Sequence, residues 1–367
     1  MKKIAAIVPY SFLPAQSGGQ KLIAGFYEAL GREAELHLIG TPENDSSLIQ
    51  GYTLKHFLRS SQLRYADFFS FFRLKNYLKQ QKVEWLFIEH PYLGWLAWLL
   101  KKSTGVQLAV HTHNIEFQRF RSIGKWWWPL LKWYEGRVLN MADLVFCITE
   151  EDRQGFITDL KVRTDKCVVI PYGIPQEEPP VDKAETKAAV CNELGISPDH
   201  HLLFFNGVLS YEPNRQALDA IIEKINPALV STGLKYKLLI AGKNLPAPYN
   251  DLKDYPQMVY LGFVDEIDRY TKAADLLLNP VQSGGGIKTK MIEALAMNTA
   301  VVSVKTGAAG VAAELCGNKL TIVPDNDWPQ FTNAIITALQ EPDSITPPAF
   351  YKTFSWKFIV EKAVQQL

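Results

Sequence analysis

The sequence predicts an α/β protein built from two Rossmann-like, doubly wound domains, each with a parallel sheet. Short apolar runs alternate with longer amphipathic stretches along nearly the whole chain, which is the pattern of repeated βαβ units. The alternation is interrupted once, by a polar segment with three prolines at 175–187, which we interpret as a linker. The length of 367 residues agrees, because one core rarely extends beyond about 250–300 residues.

The first domain is predicted at 1–174. Strands are expected where apolar residues occur in short uninterrupted runs, and helices where they recur at helical spacing. The predicted strands are Ile4–Val8, Glu35–Ile39, Trp85–Ile88, Gln107–His111, Leu144–Ile148 and Cys167–Ile170. The predicted helices are Gln20–Leu30, Ala66–Gln81, Leu93–Lys102, Trp128–Met141 and Glu150–Leu160.

The second domain is predicted at 188–350, and an amphipathic stretch at 351–367 closes the chain as a helix. The predicted strands are Leu202–Phe205, Lys237–Ala241, Met258–Leu261, Leu276–Asn279, Ala300–Val304 and Leu320–Val323. The predicted helices are Arg215–Leu229, Asp265–Ala274, Lys290–Met297 and Trp328–Leu339. Open parallel sheets bind ligands beyond the carboxyl ends of their strands, so the loops at those ends are the candidate sites.

Composition narrows the class of protein. The net charge is +1 and charged residues make up 21%, so nothing indicates a nucleic-acid partner held by phosphate contacts. The four cysteines form no C-x-x-C pair, and no cluster has the spacing of a zinc site, so we expect no metal and a reducing, cytoplasmic compartment. No apolar stretch is long enough to span a membrane.

The stretch SGGGIKTKMIEALAM, at 283–297, follows the apolar run DLLLNP and gives the order strand, glycine loop, helix. Such a loop allows close approach of backbone to a ligand, and the helix start attracts anions. Lys288 and Lys290 add positive charge, and Glu293 lies on the same helix face as Lys290. The residues fit a phosphate-plus-ribose site, and they fit equally a tight turn beside a solvated Lys–Glu pair.

Two loops of the first domain carry similar signals. Ser17-Gly18-Gly19 opens a helix after the first strand, either as an anion-facing loop or as an ordinary capped helix start. The segment VQLAVHTHNIEF places His111 and His113 just after a strand. Two histidines at a strand's carboxyl end favour a ligand contact over a purely structural role, with His113 preferred.

These motifs resemble the GT-B glycosyltransferases of family 4. The family pattern of a glycine triplet, a basic residue, a lysine, E-A and a later G-x-x-G loop is matched by GGGIKTKMIEALA and GAAG. The resemblance implies two domains facing each other across a cleft, with the closing helix packed back on the N-terminal domain. It also implies that Glu293 binds the donor ribose, and that Gly284, Gly285, Gly286, Lys288 and Lys290 lie near the sugar and diphosphate. Many members carry a further glutamate where Gly285 stands here, which leaves donor identity open.

The resemblance extends over nearly the whole chain. His113 to Glu116 match the family's H-N-hydrophobic-E, so His113 is expected to contact the transferred sugar and, with Glu293, to act in catalysis. Gly18 and Gly19 are expected to present backbone amides to the donor. Arg215 is expected to contact the diphosphate, and the backbone near Val264 the nucleotide base.

The implied activity is transfer of a hexose from a nucleotide-diphosphate sugar to a glycan or lipid-linked acceptor. Retention of anomeric configuration follows from the resemblance. No metal bridge is expected, and no cofactor beyond the donor substrate. An epimerase or hydrolase of the same fold and a non-catalytic sugar-binding protein are the alternatives.

The segment GKWWWPLLKWYEGR, at 124–137, combines four tryptophans with basic residues. Trp126, Trp127 and Trp128 beside Lys125 and Lys132 fit a peripheral contact with the inner face of a membrane. Packing of these rings against the core is the alternative, and the sequence favours it.

Overall fold

The computed structural model describes residues 1–283, 287–341 and 344–367. The chain divides into two compact units, each of them an α/β domain with one parallel sheet. Unit 1 comprises Met1–Pro175 and Thr353–Leu367, and unit 2 comprises Gln176–Lys352. The predicted fold class is confirmed. The predicted Gly284, Gly285 and Gly286 loop lies outside the described residues.

The sheet of unit 1 has the strand order β3-β2-β1-β4-β5-β6-β7, with every neighbouring pair parallel. Its strands are β1 (Lys3–Ile7), β2 (Glu35–Gly40), β3 (Thr53–His56), β4 (Trp85–Glu89), β5 (Gln107–His111), β6 (Leu144–Cys147) and β7 (Cys167–Val169). Its helices are α1 (Gly18–Glu33), α2 (Phe68–Gln81), α3 (Gly94–Thr104), α4 (Glu116–Ser122), α5 (Trp128–Met141), α6 (Glu150–Leu160) and α14 (Trp356–Val364).

Two elements of unit 1 are absent from the sequence prediction. Strand β3 is a polar edge strand, TLKH, with no fully buried residue, so it lacks the apolar run that marks the other strands. Helix α4 has seven residues and ends before Gly124, which adopts a positive φ of 70°. Helices this short depend on tertiary contacts more than on local propensity.

The sheet of unit 2 has the order β10-β9-β8-β11-β12-β13, again parallel throughout. Its strands are β8 (His201–Asn206), β9 (Tyr236–Ala241), β10 (Met258–Gly262), β11 (Leu276–Asn279), β12 (Ala300–Val304) and β13 (Leu320–Val323). Its helices are α7 (Lys183–Glu193), α8 (Glu212–Ala220), α9 (Asn226–Ser231), α10 (Ile267–Ala273), α11 (Thr289–Ala296) and α12 (Trp328–Gln340). The boundary between the units, after Lys352, falls within α13 (Pro348–Phe354).

The helix predicted at 215–229 is observed in three parts. Between α8 and α9 the five residues Ile221–Ile225 form a wider π-helical turn. Pro227 follows directly, and because proline has no amide hydrogen and crowds the preceding turn, it disturbs the regular hydrogen-bond ladder there. The stretch predicted as a linker, 175–187, contains the start of α7.

Trp356 of α14 is accommodated by two glycines of unit 1. A Cβ atom at Gly25 would lie 2.3 Å from the indole Nε1 of Trp356, and one at Gly173 would lie 2.3 Å from its Cδ2. Ile174 exchanges backbone hydrogen bonds with Phe354 and Trp356, at 2.7 and 2.9 Å, so the closing segment is attached by backbone as well as by packing. Gly173 therefore serves close packing.

The strand order fixes where a ligand can bind in each unit. In unit 1 the chain winds outward through β1, β2 and β3 and returns to place β4 beside β1. In unit 2 it winds outward through β8, β9 and β10 and returns to place β11 beside β8. Loops diverge at such a switch point and leave a crevice at the carboxyl ends of the strands. The loops after β1 and β4, and the start of α11 after β11, lie at these points.

Candidate active site

A buried carboxylate joins two histidines at the carboxyl edge of the unit 1 sheet. Glu89 ends β4 and His111 ends β5, and the parallel register makes them direct neighbours. Glu89 Oε1 accepts hydrogen bonds from Tyr27 Oη at 2.6 Å and from His111 Nδ1 at 2.9 Å. Its Oε2 accepts from His113 Nε2 at 2.6 Å. One carboxylate therefore orients both imidazoles.

This carboxylate is ionised in the folded protein. Burial by itself would raise the pKa of Glu89, but His111 and His113 more than offset burial, so the pKa lies well below its usual range. Hydrogen bonds to an ionised acceptor are shorter and stronger than neutral ones. The network consequently holds the two rings firmly.

His113, the predicted sugar contact, is the imidazole of this pair with more exposure, at 10% of its side chain against 2% for His111. The ring of His90 packs edge-on against it with centroids 4.4 Å apart. His90 has φ 60° and ψ 168°, a costly conformation for a residue with a side chain, and such strain concentrates at functional sites. Burial, together with His113, holds the pKa of His90 well below its usual range.

Glu116, the last residue of the H-N-hydrophobic-E motif, is directed into the fold. Its carboxylate accepts hydrogen bonds from Tyr92 and Arg119. Glu135 of α5 accepts the backbone amides of Glu116 and Phe117 at 3.0 and 2.9 Å and so caps α4. Burial raises the pKa of Glu135 to about 7, although these amides lower it. The motif therefore anchors the loop that carries His113.

Glu89, His111 and His113 offer one carboxylate and two imidazoles, a ligand set that Zn²⁺ uses, with the three ligand atoms within 4.8 Å of one another. Their oxygen–nitrogen distances of 2.6 and 2.9 Å are those of hydrogen bonds. Ligands of tetrahedral zinc, bonded at about 2.0–2.1 Å, are roughly 3.3 Å apart. The three side chains thus satisfy one another as a hydrogen-bonded network, and a metal-independent reaction stays a prediction.

Gly18 and Gly19 form the first turn of α1, after the loop that follows β1. Ser17 caps the helix and forms a capping box with Gln20, whose backbone amide donates to Ser17 Oγ at 3.4 Å. A Cβ atom at Gly19 would meet nothing within 4 Å. The structure therefore contains the capped helix start, which was one of the two interpretations of this motif. The contact of these amides with a donor stays a prediction.

In unit 2 the ammonium group of Lys290 is bonded to the end of β8 and to the first turn of α8. Its Nζ donates to the backbone oxygen of Asn206 at 2.7 Å and to Asn214 Oδ1 at 3.0 Å. Gly207 makes this possible, because a Cβ there would lie 2.6 Å from Asn214 Nδ2. Burial, and to a lesser extent Lys288, lower the pKa of Lys290 against the opposing effect of Glu293, and the resulting pKa is about 7.

Lys288 occupies the capping position of α11, whose first turn contains no acidic residue. An ammonium side chain has no acceptor for the amides of the helix start, so it cannot cap them. Burial also lowers the pKa of Lys288. Glu293 lies partly buried on the second turn of the same helix. Lys288, Lys290 and Glu293 therefore lie together along the start of α11, and their contact with a donor stays a prediction.

Arg215 lies in two ion pairs and Val264 in a loop, so their predicted contacts with the donor have less support than those of the lysines. The Arg215 guanidinium pairs with Glu212 at 2.7 Å and with Asp219 at 3.0 Å, and these contacts hold its pKa above the usual range. A diphosphate would have to compete with both carboxylates. Val264 lies partly buried in the loop between β10 and α10. Both assignments stay predictions.

In the tryptophan segment, 124–137, some of the rings pack against other side chains and others are exposed to solvent. Trp127 stacks on Phe120 at 4.5 Å and Trp128 packs against Phe117, whereas Trp126 is 86% exposed. Further large apolar side chains are exposed on α2, α3 and α5: Phe68, Phe69, Phe72, Trp98, Leu130 and Trp133. No helix within the described ranges is long and apolar enough to cross a lipid bilayer.

Sequence reasoning missed Glu89, His90 and Glu135. A charged residue directly after an apolar strand, as in EWLFIEH, was the available signal for Glu89 and His90. Glu135 carried no such signal, since a glutamate in an amphipathic helix usually faces solvent.

Comparison with known proteins gives consistent results for both units. Residues 17–178 match the family described as Glycosyltransferase Family 4, and residues 200–341 match Glycosyl transferases group 1. The UDP-Gal:alpha-D-GlcNAc-diphosphoundecaprenol alpha-1,3-galactosyltransferase of Escherichia coli is 22% identical over 363 residues, covering 90% of this chain and 87% of that protein.

Solved structures of low sequence identity share the fold. The sucrose-phosphate synthase of Thermosynechococcus elongatus superimposes with a TM-score of 0.72 at 17% identity, covering 100% of this chain and 98% of that one. HepE of Anabaena, solved in complex with UDP, gives 0.73 at 14% identity, covering 99% and 98%. With matching families over both units and the same fold, the protein is a group 1, family 4 glycosyltransferase.

Proposed function

We propose that the protein transfers a hexose from a UDP-sugar to a lipid-linked glycan acceptor, with retention of configuration and without a divalent metal. The name of the Escherichia coli relative gives UDP-Gal as donor and a diphosphoundecaprenol-linked sugar as acceptor. UDP is also the ligand in the HepE structure. At 22% identity these substrates are support for the proposal and not a transfer of identity.

The observation that carries the proposal is the start of α11 at the switch point of unit 2. Helix α11 is the next helix after β11 along the chain, and Lys288 and Lys290 flank its first amides. A helix amino end of this kind favours phosphate oxygens through its amides and its dipole. Both lysines lose part of their hydration on burial, so a bound dianion would restore their charged form.

Each group then has a role in the transfer. The bond between the anomeric carbon and the diphosphate oxygen breaks, a bond to the acceptor oxygen forms on the same face, and the acceptor proton passes to the leaving diphosphate. Lys290 and the start of α11 stabilise the charge that develops on the diphosphate. Glu293 accepts hydrogen bonds from the ribose hydroxyls, and His113 contacts the transferred sugar.

Calorimetric titration with UDP tests the nucleotide site. Replacement Glu293→Ala removes both ribose acceptors and should weaken UDP binding about tenfold to 100-fold, since hydrogen bonds to a charged group contribute about 1.5–3 kcal/mol. Glu223→Ala, an exposed glutamate of the same unit, is the matched control and should bind like the wild type. Equal affinities for all three proteins would remove Glu293 from the site.

The reaction itself is tested with UDP-galactose and a synthetic polyprenyl-diphosphate-linked N-acetylglucosamine. Release of UDP that depends on the acceptor, with sugar in the lipid fraction, is the expected result. Release of free sugar without acceptor would instead establish the hydrolase alternative. A product with inverted anomeric configuration, read by NMR coupling, would contradict retention.

We further propose that the exposed aromatic side chains of unit 1 contact the membrane that holds such an acceptor. Phe68 of α2 packs on Trp95 of α3 at 4.7 Å, and the Tyr134 hydroxyl of α5 accepts the Trp95 amide, so the three helices form one continuous surface. Arg137 lies over the exposed ring of Trp133 at 5.6 Å, which pairs an aromatic ring with a cation as membrane interfaces do.

Flotation with vesicles containing anionic lipid tests this contact. The wild type should rise with the vesicles, and the double replacement of Phe69 and Trp133 by Ser should rise several-fold less, because burying each ring removes roughly 150–250 Å² from water. Replacement of the exposed Val181, in unit 2, by Ser is the control. Equal flotation of all three proteins, or none by the wild type, would contradict the proposal.

A further inference from the structure

Glu89 is a buried ionisable group of unit 1 that the proposed mechanism leaves without a role. It is 1% exposed, and its two oxygens divide three donors between them. Oε1 accepts from Tyr27 and His111, and Oε2 accepts from His113. Because an ionised carboxylate can only accept, each ring nitrogen that contacts it must carry a hydrogen. The carboxylate therefore decides which nitrogen of each imidazole is protonated.

For His113 this assignment has a chemical consequence. Its Nε2 carries the hydrogen donated to Glu89, so in the neutral ring Nδ1 is left as an acceptor. A hydroxyl of a sugar can donate to such a nitrogen. An imidazole of the opposite tautomer would present an N–H at the same place and would orient the hydroxyl differently.

We propose that Glu89 is a positioning residue: it holds His113 as the Nε2–H tautomer, so that Nδ1 accepts a hydrogen bond from a hydroxyl of the transferred sugar. This inference rests on the proposed contact between His113 and that sugar. The rigid surroundings suit such a role, since His90 packs against His113 at 4.4 Å and His111 at 5.0 Å. An imidazole fixed in position and tautomer needs no reorganisation during the reaction.

The replacement Glu89→Gln makes a directional prediction, because glutamine has nearly the same shape but only one oxygen. That oxygen is expected at the Oε1 position, where two donors, Tyr27 and His111, already converge. The amide NH₂ is then directed at His113 Nε2, which must give up its hydrogen and accept. The tautomer of His113 should therefore switch from Nε2–H to Nδ1–H while the fold is retained.

Nitrogen-15 NMR of the full chain with labelled histidine shows directly which nitrogen of His113 carries the hydrogen. The signal of His113 is assigned by its loss in His113→Asn. In the wild type the unprotonated nitrogen should be Nδ1, and in Glu89→Gln it should be Nε2. Wild-type protein in which Nδ1 of His113 carries a hydrogen, as the Nδ1–H tautomer or as the imidazolium, would overturn the proposal without need of any variant. An unchanged tautomer in a folded Glu89→Gln protein would do the same.

Kinetics give the second readout. Glu89→Gln should lower kcat about 100-fold, as loss of one oriented active-site hydrogen bond does, while calorimetric UDP affinity and the melting temperature stay near wild type. Glu35→Gln is the matched control, since Glu35 contacts His37 Nε2 at 3.3 Å at the surface of the same unit, and its kcat should not change. A parallel loss of kcat, UDP affinity and melting temperature in Glu89→Gln would indicate a merely structural role.

The proposed function and the role of Glu89 are contradicted by different results. The NMR result requires no activity, so absence of transferase activity in the wild type would contradict the proposed function and leave the tautomer readable. Conversely, acceptor-dependent transfer with full kcat in Glu89→Gln would preserve the proposed function and overturn the role of Glu89. Stoichiometric Zn²⁺ binding by the wild type that Glu89→Gln abolishes would also overturn it, because the side chains would then be metal ligands.

Discussion

The protonation state of Lys290 leads to a pH dependence of donor binding. A neutral amine has two N–H groups, and the Asn206 backbone oxygen and Asn214 Oδ1 already accept two hydrogen bonds from Nζ. Protonation adds a third donor and a positive charge, both of which a diphosphate would use. We therefore expect the protein to take up a proton at Lys290 when it binds a nucleotide-sugar.

The size of the effect follows from the lowered pKa, which is about 7 before ligand binds. If only the protonated form binds, affinity is fully present below that pKa and is lost as the pH rises through it. Between pH 7 and pH 8.5 the apparent Kd should rise about 16-fold, which corresponds to about 1.6 kcal/mol. Lys288, whose pKa burial also lowers, would add a change of the same sign.

Calorimetric titration with UDP-galactose at pH 7 and pH 8.5 measures this change in affinity. UDP-galactose suits the test because its diphosphate diester does not itself titrate between these pH values. Repeating the titration in buffers of different ionisation enthalpy counts the protons taken up. Lys290→Arg stays charged at every pH used and should lose the part of the dependence that Lys290 causes, which leaves only the contribution of Lys288. Lys237→Arg is the control, since Lys237 also donates to a backbone oxygen of unit 2, that of Pro256 at 2.7 Å, and it should behave like the wild type.

An affinity that is constant from pH 7 to pH 8.5 in the wild type would refute this reasoning. A dependence that survives unchanged in Lys290→Arg would show that another group takes up the proton.

Three further predictions concern stability. As the pH rises from 5 to 8, Glu135→Gln should gain about 1–3 kcal/mol of stability relative to the wild type. The reason is that the pKa of Glu135 is near 7 in the folded protein, so its ionised carboxylate is the unfavourable form there. Thermal unfolding at both pH values measures this difference in stability. Gly173→Ala should lower the melting temperature through a cost of about 1–3 kcal/mol, since the new Cβ overlaps Trp356. Gly242→Ala should do the same in unit 2, because φ is 154° and the Cβ would lie 1.8 Å from the Gly207 oxygen.

Gly136→Ala is a common control for both glycine replacements, as its Cβ would make only ordinary contacts, at 3.6 Å or more. A melting temperature of either test variant equal to that of Gly136→Ala would contradict the packing argument. For Glu135, a stability difference that is equal at pH 5 and pH 8 would show that its carboxyl does not titrate between them.

Much of the fold was predictable because parallel strands buried on both faces appear as plain apolar runs. The predicted bounds of Gln107–His111, Leu276–Asn279, Ala300–Val304 and Leu320–Val323 are those observed. The polar edge strand β3 and the short helix α4 escaped the prediction, since neither has an apolar pattern of its own. The π-helical turn before Pro227 could not be located from periodicity alone, because a proline only indicates that the helix will be disturbed.

Parts of the candidate site could also be predicted, because the residues concerned are close together along the chain. Lys288, Lys290 and Glu293 are neighbours along one helix, so local spacing is enough to group them. The ion pairs of Arg215 with Glu212 and Asp219 follow from helical spacing too, yet the sequence could not show that they form in preference to a phosphate contact.

The sequence by itself determined the two parallel sheets, the order of strand, glycine segment and helix at 276–296, and the place of His113 after a strand. Only the tertiary structure decided which groups surround that histidine. Glu89 lies 24 residues before His113 along the chain and meets it because β4 and β5 pair in parallel register and end at one edge. Contacts of this kind depend on strand order and register, which are set by the packing of the whole sheet and leave no local mark in the sequence.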